Sequence, residues 1–223
     1  MIEACKKAAA EKAALLVQDG MIVGLGTGST AAYFIEALGA LHKKGLKIQT
    51  VASSKTSHHM AQEKGLPLID LDSLTSIDLY VDGADEIDPQ KQMIKGAGAA
   101  LLREKILAHM CREMTIIVDE TKLVPKLGSR PLPVEIVPFG FSATLHHLQE
   151  LGYQGELRHL SNGSLLITEN SNYIFDVRLP SSGNVQHDHE RISRIPGVVE
   201  TGFFATQAGR VIIGFKDGSV VVQ

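Results

Sequence analysis

Residues 21–34, MIVGLGTGSTAAYF, decide how the rest of the chain is read. The apolar run 21–25 reads as a buried strand, glycines stand at positions 24, 26 and 28, and a helical pattern opens at Ser29. Strand, glycine turn and helix form the opening unit of an α/β fold. Glycines at such a turn let backbone amides approach an anion, and the next helix presents its positive N-terminus. Gly26-Thr27-Gly28-Ser29-Thr30-Ala31 matches the dinucleotide pattern GxGxx(G/A). That pattern expects an acidic residue about 20 positions on, at the end of the next strand. Here that strand is IQTVASSKTS, which ends in Ser53, Ser54, Lys55, Thr56 and Ser57. Hydroxyls and a lysine suit a phosphate monoester better than a nucleotide ribose. The alternative without a ligand is a tight turn capped by a hydroxyl.

Outward from this turn the first 130 residues alternate between helical and strand patterns. A helix is expected over 2–18 with Gly20 as its C-cap, and another over 29–41 capped by a hydroxyl. KIQTVASS is the second strand, KTSHHMAQEKG a helix, and IDLYVDGADEID a strand running into an acidic turn. GAGAALLREKILAHMC is a further helix and EMTIIVDE a fourth strand. This alternation predicts a doubly wound, mainly parallel sheet. After VPKLGSRPLP the pattern changes to strand, helix, strands and helix, predicting a second, smaller α+β domain of ferredoxin-like type over 131–200. The main domain would then be 1–130 plus 201–223. In the tail RVIIGFKDGSVVVQ, Asp217-Gly218 between two apolar runs predicts a hairpin.

Composition sets the class. The 223 residues are 44% hydrophobic and 21% charged with a formal net charge of -3, which gives no electrostatic case for nucleic acid. No apolar run approaches membrane-spanning length, and the N-terminus is charged and amphipathic rather than signal-like. Cys5 and Cys111 have no CxxC partner, so a reducing, cytoplasmic setting is expected.

Three further features carry chemistry. LYVDGADEID places Asp82, Asp85, Glu86 and Asp88 just past an apolar strand, where ligands of open α/β sheets bind. Carboxylates there accept hydrogen bonds from a polyol, bind a divalent metal, trade protons, or merely cap a solvated turn. In the helix after MIKGAG, a periodicity of 100° per residue puts Ala97, Ala100, Leu101, Glu104, Leu107, Ala108 and Cys111 on one face, with Arg103 and Lys105 to either side. Glu104 thus sits in an apolar stripe of small residues, where burial would make it a better general base; a buried ion pair is the alternative. Lys95 is either that partner or an electrophile for a developing oxyanion. Lys122, after the fourth strand, falls on the same sheet edge. His58-His59, His146-His147 and His187-Asp188-His189 have helical settings and no completed ligand set, so no metal is expected.

GLGTGST, VDGADEID, MIKGAGAALLREKI and VDETKLV, in this order, closely resemble the type A ribose-5-phosphate isomerases, and RPLPVEIVPF and IPGVVETGFF extend the likeness over nearly the whole chain. One departure is Ala97, where the family commonly has glycine within Lys-Gly-Gly-Gly. The resemblance implies interconversion of D-ribose 5-phosphate and D-ribulose 5-phosphate, without cofactor or metal, by a homodimer or tetramer in the pentose phosphate pathway. By motif, Glu104 matches the catalytic base, and Asp82 and Lys95 match groups acting on the sugar. Substrate-binding positions implied are Thr27, Gly28, Ser29, Thr30, Asp82, Gly83, Ala84, Asp85, Lys95, Gly96, Ala97, Gly98 and Lys122, with Lys6 reaching the phosphate. The competing readings are a non-enzymatic sugar-phosphate sensor on a related fold, an amino-sugar phosphate deaminase and a nucleotide dehydrogenase.

Overall fold

A computed structural model describes residues 1–180, 183–205 and 208–223. The chain runs α1 (Ile2–Ala14), β1 (Ile22–Leu25), α2 (Ser29–Lys43), β2 (Gln49–Ala52), α3 (Lys55–Glu63), β3 (Ile77–Asp82), β4 (Glu86–Ile87), β5 (Met93–Ile94), α4 (Leu101–Met110) and β6 (Cys111–Asp119). Then come β7 (Leu132–Ile136), α5 (Phe141–Glu150), β8 (Gln154–Leu157), β9 (Tyr173–Arg178), α6 (Val185–Ile192), β10 (Val198–Thr201), β11 (Phe203–Phe204), β12 (Ala208–Gly214) and β13 (Val220–Val222).

The first compact unit holds residues 1–84, 103–123 and 208–223. Its six-stranded sheet has the order β13-β12-β6-β3-β1-β2, parallel except at β13. The central strands are near-continuous apolar runs because a parallel sheet is covered on both faces. Four buried alanines of α1, Ala9, Ala10, Ala13 and Ala14, let that helix lie close to β6 and β12. A Cβ on Gly214 would collide with the Cys5 carbonyl. The Asp217-Gly218 hairpin joins β12 to β13 as expected, with Gly218 at φ 87°. Strand order reverses at β1, so the crevice of this sheet opens at the carboxyl ends of β1 and β3.

Two helix ends differ from the sequence reading. Helix α1 stops at Ala14, and Gly20 (φ 85°) serves a later turn whose amide donates to the Lys47 carbonyl at 2.7 Å. Helix α2 is preceded by Gly28 as N-cap, and no side chain caps it. The expected hydroxyl cap is absent because Ser29 is already the first helical residue.

The second compact unit takes residues 85–102 and the described residues from Val124 to Ala205. A four-stranded antiparallel sheet, β10-β7-β9-β8, carries α5 and α6. Leu132, Val134 and Ile136 alternate inward from β7 onto Phe175, Val177, Leu148 and Ile192. These units are cut elsewhere than at the sequence boundaries of 130 and 200. The acidic segment after β3 is not just a turn: β4 pairs with β5, and β5 with β11, in a separate three-stranded sheet. Buried Glu86 accepts from the amides of Gly128 (2.7 Å) and Arg130 (2.6 Å) and from the Ser129 hydroxyl, which draws 128–130 into the same unit.

Glu135 is a second fully buried carboxylate of this unit. One oxygen accepts from the Thr168 hydroxyl (2.9 Å) and the side-chain amides of Asn170 (3.0 Å) and Asn172 (2.9 Å), fastening the long excursion between β8 and β9. Buried donors left unmatched are costly, so Glu135→Ala is expected to destabilise the protein by about 3 kcal/mol. Chemical denaturation checks this, and a loss under about 1 kcal/mol would contradict the fastening role.

Candidate active site

The glycine loop is built around Asp82. As β3 ends beside β1, Asp82 is completely buried. Its Oδ1 accepts from the amides of Thr27 (3.1 Å) and Gly83 (2.7 Å), and its Oδ2 from the Tyr80 hydroxyl (2.5 Å). The three alternating glycines therefore have separate causes. A Cβ on Gly24 would stand 2.7 Å from the Tyr80 ring, and one on Gly26 would overlap the Asp82 carboxylate and lie 2.7 Å from its Cα. Only Gly28, exposed at φ 106° with open space around it, is free to serve an anion.

The serines after β2 lie beneath this loop rather than rimming it. Ser53, Ser54 and Ser57 are buried. Ser57 donates to the Gly26 carbonyl (2.5 Å), Ser53 lies 2.7 Å from the Thr27 hydroxyl, and Ser54 caps α3 by accepting from the Ser57 amide (3.1 Å). Lys6 reaches Ser29 Oγ at 3.0 Å, at the first residue of α2, and also pairs with Glu3 at 2.9 Å. Thr30 is buried against the loop's underside, its Cβ within 4 Å of where Gly83 would carry a side chain. Lys122 closes a 3-10 turn at the end of β6, whose cap is Asp119 accepting from the Thr121 amide at 3.0 Å.

Glu104 is 3% exposed, as the apolar stripe implied. The stripe itself is shorter than expected. Helix α4 begins only at Leu101, so Ala97 and Ala100 precede it, and Cys111 already belongs to β6. Positive φ at Gly96 (112°) and Ala99 (56°) breaks the backbone before the helix. Lys105, expected to point aside, is buried with Glu104. Burial pushes the Tyr80 hydroxyl well above its usual value, and the charges of Asp82 and then Glu104 push it further. Tyr80 is thus a protonated donor within electrostatic reach of both carboxylates.

Asp85, Lys95 and the 96–98 turn belong to the second unit, so Asp82 and Asp85 each serve a loop of their own. Asp85 Oδ2 accepts from the Ala97 amide (2.9 Å). Lys95 is 3% exposed, with Nζ 5.5 Å from the Phe204 ring centre and its amide donating to Gly202 (2.8 Å). Ala97 has no positive φ, so its methyl is compatible with the turn. Arg158, which the sequence reading passed over, donates to the carbonyls of Gly96 (2.7 Å) and Ala97 (3.2 Å) while its guanidinium clasps Asp176 at 2.8 and 2.5 Å. A cavity of about 180 Å³ is lined by Asp85, Ala97, Arg130, Pro131, Pro133, Arg158 and Asp176. Tyr80 was also passed over, since a tyrosine in an apolar strand reads as core. Among the described residues no three His, Cys, Asp or Glu side chains are placed to hold a metal ion, and no helix is long and apolar enough to cross a membrane. His59 and His146 pair with Glu63 (3.2 Å) and Glu150 (3.4 Å) on exposed helix faces.

An uncapped helix start beside buried carboxylates, at the switch point of a parallel sheet, defines an α/β enzyme of small phosphorylated ligands. The model of the family Ribose 5-phosphate isomerase A (phosphoriboisomerase A) matches residues 49–218. A ribose-5-phosphate isomerase A from Protochlamydia amoebophila (strain UWE25) is 53% identical over 214 residues, spanning 96% of this chain and 92% of its own. Among solved structures, a D-ribose-5-phosphate isomerase in complex with phospho-erythronic acid superposes with a TM-score of 0.94 at 39% identity, over 100% of this chain and 99% of that one. The ribose 5-phosphate isomerase from Plasmodium falciparum gives 0.94 at 36% identity, over 100% and 98%. The chain belongs to the ribose 5-phosphate isomerase A family, and it is an isomerase whose substrate is a phosphosugar.

Proposed function

We propose that the isomerisation of D-ribose 5-phosphate to D-ribulose 5-phosphate proceeds through a cis-enediolate with Glu104 as general base. The observation that carries this reading is a buried glutamate sharing the environment of Tyr80 with Asp82, at the sheet's ligand-binding edge. After ring opening, Glu104 takes the proton from carbon 2 while the carbonyl electrons move onto the oxygen of carbon 1. The hydroxyl proton of carbon 2 passes to the oxygen of carbon 1, the carbonyl re-forms at carbon 2, and the electrons of the carbon–carbon double bond take the proton back from Glu104 at carbon 1. One base suffices because both carbons present the same face. Asp82 moves the hydroxyl protons of ring opening.

The phosphate is proposed to lie at Gly28 and the start of α2, where no side chain claims the helix amides and Lys6 stands at Ser29. Gripping it there fixes the sugar and spends remote binding energy at the reacting carbons. Asp85 and Lys95 enter by motif, as a hydroxyl acceptor and as the cation facing the enediolate oxygen. The structural relative solved with phospho-erythronic acid supports a phosphate and an anionic carbon end bound together.

The purified enzyme is expected to stay active after exhaustive chelation. In deuterated water it is expected to place solvent deuterium on carbon 1 of the ketose, read by NMR. Isomerisation with no trace of solvent deuterium, or a requirement for added metal, would overturn the mechanism.

A further inference from the structure

Tyr80 stands where strand geometry makes it the neighbour of the site. Residues two apart on a strand share a face, so Tyr80 and Asp82 of β3 lie on the same side, and Tyr80 pairs in register with Gly24 of β1. The bare backbone of Gly24 accommodates the ring, since any side chain there would overlap it. The ring is completely buried, and its hydroxyl lies 2.5 Å from Asp82 Oδ2, a charge-assisted bond of the stronger kind.

The network continues beyond that bond. Asp82 Oδ1 accepts from the Thr27 amide at 3.1 Å, and the Thr27 hydroxyl lies 2.7 Å from Ser53 Oγ. The chain Tyr80–Asp82–Thr27–Ser53 ties the ends of β1, β2 and β3 together.

We infer that Tyr80 is a positioning residue of the isomerase: its hydroxyl pins Asp82 Oδ2 while Asp82 Oδ1 pins the glycine loop, so that carboxylate and loop are set as one body. This rests on the placement of Asp82 in the reacting site proposed above. Tyr80 touches no substrate atom in this role. It fixes the orientation of a group that does, so its loss acts on turnover more than on binding.

The test is a double-mutant cycle on the full chain with D-ribose 5-phosphate as substrate. Tyr80→Phe keeps the ring and removes only the hydroxyl. It is expected to lower kcat about tenfold or more while KM stays within about twofold. Asp82→Asn alone lowers kcat further, and adding Tyr80→Phe to it changes little, because the bond being removed is already weakened. A purely structural tyrosine would instead give effects that multiply. Should Tyr80→Phe fail to fold, Ser53→Ala enters the same cycle from the Thr27 end of the chain. The inference is overturned if Tyr80→Phe keeps kcat within twofold of the wild type, or if the two substitutions multiply. If Asp82→Asn itself is fully active, the fault lies instead with the role given to Asp82.

Discussion

Glu104→Gln is expected to lower kcat by at least the roughly 10²- to 10⁴-fold typical of losing a general base, with KM little changed. The substitution preserves shape and removes only the ability to take and return a proton. Glu104→Asp withdraws the carboxylate by one methylene and should retain intermediate activity, as placement errors of about 1 Å cost on the order of 10²-fold. Wild-type turnover by Glu104→Gln would remove the assigned base.

Gly26→Ala is expected to reduce kcat/KM about 10²-fold and to destabilise the fold by about 1–3 kcal/mol. The added methyl would overlap the Asp82 carboxylate and approach its Cα to 2.7 Å. Neither neighbour yields cheaply: Asp82 is held by three donors, and the Gly26 carbonyl is held by Ser57. The loop must therefore shift, carrying with it the Thr27 amide and the start of α2. Steady-state kinetics with thermal melting checks both parts, and a variant retaining more than a tenth of wild-type kcat/KM would show that the loop tolerates displacement.

The parts of this molecule that the sequence made legible are those governed by local periodicity. The apolar runs in 21–25, IDLYVDGADEID and EMTIIVDE read as strands of a parallel sheet, and Asp217-Gly218 as a hairpin turn, and the sheet holds all of them. Glu104 was legible because a carboxylate broke an apolar stripe. The rest depended on partners distant in sequence. The two-residue strands β4 and β5 have no period to read, and they exist because β11 pairs with them from the far side of the chain. Arg158 holds the 96–97 turn across a separation that no motif spans. The glycine pattern misled in an instructive way: Gly24 and Gly26 make room for Tyr80 and Asp82, so a signature that resembles anion binding mostly records crowding by neighbouring side chains.

The pairing of β12 with β6 has a consequence for folding. Thr115 sits opposite Arg210, so β6 acquires its second neighbour from a strand far along the chain. Until β12 pairs, β6 is an apolar edge with a row of open peptide groups, the kind of surface that recruits other chains. Completing the sheet closes a very long loop, a slow contact to form. The strand at the middle of this sheet is therefore its most adhesive one until β12 seals it.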